Sequence, residues 1–64
     1  MRFITKTELE TGGINKGQWW WEVWDVTIEY CVEVGDQWYA TRNEALRDGN
    51  AARDEWARSK GEIS

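Results

Sequence analysis

Residues 18–25 read QWWWEVWD and hold four of the six tryptophans of this 64-residue chain. Successive side chains of a β-strand point to opposite faces of the sheet, so Trp19, Trp20 and Trp21 must place large rings on both faces. A chain of this length builds one hydrophobic core. The stretch therefore predicts that some of its rings lie outside the core, on a surface.

The surrounding segment predicts one long strand over about residues 18–34, because no glycine or proline interrupts it before Gly35. From Trp24 onward the even positions are apolar and the odd positions are mostly polar, which is the pattern of a half-buried strand. Before Trp24 the phase reverses, and the apolar set is odd and includes Trp19 and Trp21.

Two interpretations of this phase reversal are open. In the first, a β-bulge at Val23–Trp24 adds one residue and brings both apolar sets to the core side. In the second, the strand is regular, the core holds Trp24 and Trp20, and Trp19 and Trp21 lie on the opposite face.

Strands are also predicted on both sides of this segment. Residues 2–10, RFITKTELE, are rich in β-branched and aromatic types and predict a first strand, and the glycines of 11–17 predict the turn that follows it. Gly35–Asp36 matches a two-residue hairpin loop leading into a short strand at 37–40. With such a loop, Trp38 lies on the face opposite the core, whereas a longer loop would reverse this assignment.

A C-terminal helix is predicted over about residues 42–59. Thr41 and Glu44 have the spacing of a capping box, and Gly61 provides a stop. The apolar stripe consists mostly of small residues: Ala45, Leu46, Gly49, Ala52 and Trp56. Glycine in a helix interior costs ~1 kcal/mol relative to alanine, so Gly49 predicts a close approach of the helix to the sheet.

These elements predict an α+β fold in a single domain, residues 1–64. The architecture is a three-stranded antiparallel meander followed by one helix (β-β-β-α), with the helix packed on one face. A single helix leaves the other face of the sheet to water or to a partner.

Composition argues against an enzyme. The chain has no histidine, one cysteine (Cys31) and no glycine-rich phosphate loop, so we expect no catalytic residues, no metal site and no cofactor. The net charge of −4 disfavours binding to nucleic-acid backbones and anionic membranes. No apolar run reaches transmembrane length and no signal segment follows Met1, which predicts a cytoplasmic protein.

The face opposite the predicted core combines aromatic and acidic side chains, and we expect it to bind a protein partner with a basic surface. Tryptophan is a favoured interface anchor, and acidic residues speed association with a basic partner. The solvated side of an ordinary amphipathic strand would carry similar acids. The candidate partner-binding residues are Trp19, Trp21, Trp38, Asp25, Glu29 and Glu33.

Two other uses of this face are open. A homodimer would bury the tryptophans of two copies against each other, with Arg2 and Lys6 as possible complements to the acids. Exposed tryptophans are also the stacking platforms of single-stranded nucleic-acid binders. The acids of the same face repel phosphate and disfavour that use.

The stretch W-Y-A-T-R-N-E-A-L at 38–46 resembles the strand–turn–helix half of small bacterial and phage-encoded sheet-plus-helix domains. In size and acidity the chain is also similar to phage accessory proteins, including anti-CRISPR inhibitors. That resemblance implies an inhibitor that occupies a basic nucleic-acid-binding surface of a host complex, in the host cell cytoplasm. It assigns no functional residues.

Overall fold

The computed structural model describes residues 2–61. In chain order the elements are β1 (Phe3–Leu9), β2 (Trp19–Asp25), β3 (Tyr30–Val34) and α1 (Arg42–Ser59). The strands form one antiparallel sheet in the order β1-β2-β3, and α1 runs over β1 and β2. The predicted α+β meander with one C-terminal helix is confirmed.

The β1–β2 hairpin is regular along its whole length, from the pair Phe3–Asp25 to the pair Leu9–Trp19. Its loop is closed by two backbone hydrogen bonds of 2.8 Å, from Glu10 N–H to Gln18 O and from Gly17 N–H to Glu10 O. Gly17 has a φ of 87°, a conformation that glycine adopts without steric cost. The turn predicted at 11–17 is confirmed.

The single long strand predicted over 18–34 is wrong. The chain leaves the sheet after Asp25, turns through residues 26–29, and returns as β3. The Asp25 carboxylate accepts a hydrogen bond of 3.0 Å from the Thr27 backbone N–H, and Glu29 takes a positive φ of 52°. This turn contains neither glycine nor proline, so the usual turn residues did not reveal it.

The strand predicted at 37–40 is also wrong, because the third strand is β3 itself. Beyond β3, Gly35 still donates to Trp21 O at 2.9 Å. The chain then makes a detour and rejoins the ladder at Tyr39, which exchanges backbone hydrogen bonds of 2.8 and 2.9 Å with Trp19. The predicted Gly35–Asp36 hairpin is therefore a looped-out extension of β3, and the detour carries Trp38.

The helix covers the odd-numbered face of β2, and the buried core consists of Phe3, Trp21, Val23, Ala45 and Ala57. Trp19 packs against this core and is half-buried. Placing Trp20 and Trp24 in the core was therefore wrong, and so was placing Trp19 and Trp21 opposite it. A register shift does occur at Val23–Trp24, but β2 stays in phase with β1, and the residue without a cross-strand partner is Val32 of β3.

The helix begins and ends where the sequence predicts. Thr41 Oγ1 accepts from Glu44 N–H at 3.2 Å, and Gly61 has a φ of 77° just after the last turn. The Glu44 carboxylate accepts from the Thr41 hydroxyl at 3.0 Å, instead of from its backbone N–H. No helix within residues 2–61 is long and apolar enough to span a bilayer.

Candidate protein-binding surface

The sheet face that α1 does not cover is called the open face here. Register in β1 and β2 is continuous, so their even-numbered side chains share this face with the residues of β3 that pair with them. The open face comprises Ile4, Lys6, Glu8, Trp20, Glu22, Trp24, Cys31 and Val34.

One carboxylate holds two tryptophans of the open face. Trp24 Nε1–H donates to Glu22 Oε1 at 2.9 Å, and Trp20 Nε1–H donates to Glu22 Oε2 at 3.3 Å. The three residues alternate along β2, so the acceptor lies between the two indoles. Hydrogen bonds to an ionised acceptor are the stronger kind, and these two orient both rings without help from the core.

Trp38 extends this aromatic row. Its ring packs edge-to-face on Trp20, with centroids 5.6 Å apart and an interplanar angle of 79°. This is a favoured geometry for aromatic pairs. Trp38 remains 40% exposed, so the row Trp24–Trp20–Trp38 presents ring surface to solvent along the open face.

Lys6 makes a cation–π contact with Trp24 on the open face. Its ammonium lies 4.6 Å from the centroid of the Trp24 ring, and Lys6 pairs across the strands with Glu22. The tryptophan π-face and the neighbouring carboxylate both attract positive charge.

Two shallow cavities lie at the ends of the aromatic row. A cavity of about 300 Å³ lies beside Trp20 and Trp38 and is also lined by Glu10, Asp36 and Val34. At the other end, a cavity of about 220 Å³ lies beside Trp24 and is lined by residues that include Glu29.

Cys31 pairs with Trp24 on the open face, and its thiol donates to Glu33 O at 3.5 Å. Burial raises the pKa of the Cys31 thiol, and the negative charge of Glu22 raises it further. A raised pKa keeps the group a thiol, which is a poor nucleophile. On the open face, Cys31 therefore behaves as a small apolar side chain and not as a nucleophile.

Acidity is concentrated in the part of the chain that forms the sheet. Residues 2–40 carry seven carboxylates and three cations, whereas residues 41–61 carry four carboxylates and five cations. Lys6 is the basic residue of the open face itself. The acids on the open face or beside it are Glu8, Glu10, Glu22, Glu29 and Asp36.

Two of the six sequence-predicted site residues lie at the open face. Trp38 packs on Trp20, and Glu29 lines the cavity beside Trp24. Glu33 pairs with Val23 and accepts a hydrogen bond of 2.8 Å from Trp56 Nε1–H, which places it on the helix side.

The other three predicted site residues belong to the covered side. Trp21 is 6% exposed and donates through Nε1–H to Tyr39 Oη at 3.2 Å. Asp25 is 2% exposed and forms a salt bridge of 2.8 Å with Arg2 Nε. Trp19 packs against the core. The six residues therefore do not form one surface.

The residues that sequence reasoning missed are Trp20, Glu22 and Trp24. One sequence signal was informative: an aspartate often accepts a hydrogen bond from the backbone N–H two residues later and so starts a turn. Asp25 and Thr27 have that spacing. Ending the strand at Asp25 would have separated the two apolar phases into two strands.

The Tyr39 hydroxyl links the core to the helix and has a raised pKa. It accepts from Trp21 Nε1–H and donates its own proton to Asp48 Oδ2 at 2.9 Å, which connects core to helix. Burial raises the pKa of the Tyr39 hydroxyl, and its hydrogen bond to Asp48 acts in the same direction. Within residues 2–61, no three His, Cys, Asp or Glu side chains come together to form a metal site.

Comparison of the chain with protein-family models, with curated proteins and with solved structures found no match.

Proposed function

We propose that this chain is a non-enzymatic protein-binding module that holds a partner with a basic surface on its open face. The observation that carries the proposal is the row Trp24–Trp20–Trp38 on the open face, in which Glu22 orients Trp24 and Trp20, and Trp38 packs on Trp20. Rings fixed before binding lose little conformational freedom when a partner covers them, and tryptophan is a favoured anchor of interfaces.

The charge of the open face supports a basic partner. The acids around the row attract a basic protein and repel phosphate. A single-stranded nucleic acid would find stacking surfaces here but an opposing field. A basic protein surface with apolar gaps between its cations fits both the rings and the charge.

The resemblance to phage accessory proteins supports a finer version of this proposal. A basic surface that partly accepts aromatic rings is typical of proteins that hold nucleic acid. An acidic module covering such a surface would act as an inhibitor of a nucleic-acid-handling complex, in the manner of an anti-CRISPR protein.

Two charge-reversal variants test the proposal. Glu8→Lys/Asp36→Lys changes exposed acids at the open face, and Asp54→Lys/Glu55→Lys makes the same change in net charge on α1. The wild-type chain is used as bait, the captured protein is identified and purified, and its Kd is measured for all three chains at low and high salt. We expect the open-face variant to weaken binding by at least about tenfold and the α1 variant to have little effect.

The readouts separate the competing outcomes. Equal Kd values for the two variants would contradict the electrostatic role of the open face. Light scattering after size exclusion checks the homodimer: a dimer that dissociates only in the open-face variant would mean that the mate is a second copy of this chain.

A further inference from the structure

The larger cavity lies where the aromatic row meets the detour after β3. Trp20 and Trp38 meet at 79° and form a corner whose floor includes Val34, and the cavity volume is about 300 Å³. The Trp20 indole N–H is already bonded to Glu22 at 3.3 Å, which fixes the orientation of its ring. The corner therefore offers an ordered aromatic wall next to open space.

Two carboxylates complete this cavity. Glu10 and Asp36 are among its lining residues, and none of the lining residues carries a positive charge. Glu10 is held in place because its Oε1 accepts from the backbone N–H groups of Thr11 at 3.0 Å and Gly12 at 3.4 Å. The cavity thus combines π-faces with negative charge and lacks a cation of its own.

The other end of the row shows what such a combination attracts. There, the ammonium of Lys6 lies 4.6 Å from the Trp24 ring centroid, and Lys6 is the cross-strand partner of Glu22. The chain supplies its own cation at Trp24. The Trp20–Trp38 corner has the same aromatic and acidic groups but no lining cation, so a cationic ligand could bind there.

We propose that the Trp20–Trp38 corner is a pocket for an arginine side chain of the partner. A guanidinium is planar and weakly hydrated, stacks on tryptophan and donates several hydrogen bonds to carboxylates. Glu10 and Asp36 provide those acceptors at the rim. A lysine ammonium is more strongly hydrated and presents no flat face, so it fits the corner less well.

This inference rests on the proposed function and names the group that the partner brings to the open face. It is tested with a small probe and needs no identified partner. The chain is labelled with ¹⁵N at its tryptophan indoles and titrated with Nα-acetyl-arginine amide. The citrulline analogue, which has the same shape without the charge, and the Nα-acetyl-lysine amide are titrated in parallel.

We expect arginine amide to shift the indole signals of Trp20 and Trp38 with a Kd in the millimolar range, and to leave Trp21 unchanged. The lysine amide should bind about threefold more weakly or worse, and the citrulline amide should give no saturable shift. Equal shifts from arginine and citrulline would overturn the role of charge. Equal affinity for arginine and lysine would overturn the assignment to arginine.

Matched variants locate the pocket. Asp36→Asn should weaken arginine binding severalfold, and Trp38→Ala should abolish the shift of Trp20. Glu29→Gln, which removes a carboxylate at the other cavity, should leave both unchanged. An effect of Glu29→Gln equal to that of Asp36→Asn would overturn the location.

The two proposals fail separately. Loss of arginine binding with intact capture of a basic protein overturns only the pocket. Arginine binding that survives in a chain whose protein partner contacts α1 overturns only the proposed function.

Discussion

Trp21 packs tightly between two glycines, Gly35 beside its ring and Gly49 beside its Cβ. A Cβ on Gly35 would lie 2.6 Å from Trp21 Cε2, and a Cβ on Gly49 would lie 2.9 Å from Trp21 Cβ and 2.6 Å from Thr5 Cγ2. The close approach expected of Gly49 is confirmed. Trp21 therefore occupies space that only residues without a side chain leave open.

Gly49→Ala should destabilise the protein even though alanine is the better helix former. The gain in helix propensity is about 1 kcal/mol, whereas forcing a methyl group into a packed core costs about 1–3 kcal/mol. Here the new atom would meet both Thr5 and Trp21 at distances that Cβ atoms do not tolerate. We expect a net loss of about 1 kcal/mol in the free energy of unfolding, measured by urea denaturation.

Gly12→Ala is the matched control, because no atom lies within 4 Å of a Cβ built there. Its stability should stay within about 0.5 kcal/mol of the wild type. A Gly49→Ala chain more stable than the wild type would show that helix and sheet are not in close contact at this point.

Cys31 should be alkylated slowly at neutral pH, because its pKa is raised and little thiolate is present. The midpoint of the rate–pH profile should lie above that of an unstructured peptide thiol. Glu22→Gln should move the midpoint down only partly, since burial is the larger cause and remains. Iodoacetamide kinetics between neutral and alkaline pH measure both. A midpoint at or below the peptide value would contradict the partial burial of Cys31 on the open face.

At the scale of elements, the turn between β2 and β3 ends the strand that carries four of the tryptophans. It begins at Asp25, whose carboxylate holds Arg2 at 2.8 Å and the Thr27 N–H at 3.0 Å. Within β2, alternation places Trp20 and Trp24 on the face away from the helix and Trp21 on the face toward it.

Asp25→Ala should therefore cost about 2 kcal/mol or more in stability, because it removes a nearly buried acceptor and one partner of an ion pair. Thermal and urea unfolding of the variant measure the loss. Glu29→Ala is the control in the same turn, since Glu29 is exposed. An Asp25→Ala chain as stable as the Glu29→Ala chain would mean that Asp25 does not organise the turn.

The elements differ in how far the sequence predicts them, and the reason is the range of the determining contacts. The helix depends on Thr41, Glu44 and Gly61, which act within one turn, and both of its ends are confirmed. The β2–β3 turn has no glycine or proline, and Glu29 adopts a positive φ that is uncommon for its type. Sequence patterns within a few residues therefore predict one strand over 18–34, where the structure has two.

The candidate site was predictable in kind but not in membership. Alternation in a strand requires tryptophans on both faces, and the structure has them on both. Which set is covered depends on where the helix lies, and that is a tertiary contact. The helix contacts Trp21 at Gly49, and no residue within QWWWEVWD specifies that contact.

At the scale of the whole molecule, the two sides carry different charge and different chemistry. Residues 2–40, which form the sheet, carry an excess of acids and the rings that Glu22 orients, whereas residues 41–61 have nearly balanced charge. An asymmetric field orients a basic partner during encounter, before contacts form. The proposed function therefore has a basic partner approach from the open face.

The most direct test of this account follows the six indole signals of the ¹⁵N-tryptophan-labelled chain when the purified partner is added. Trp20, Trp24 and Trp38 should shift or broaden as the complex forms, because their rings line the open face. Trp21 and Trp56, on the covered side, should keep their positions. Shifts centred on Trp56 with Trp20 and Trp24 unchanged would contradict the claim that the open face is the binding surface.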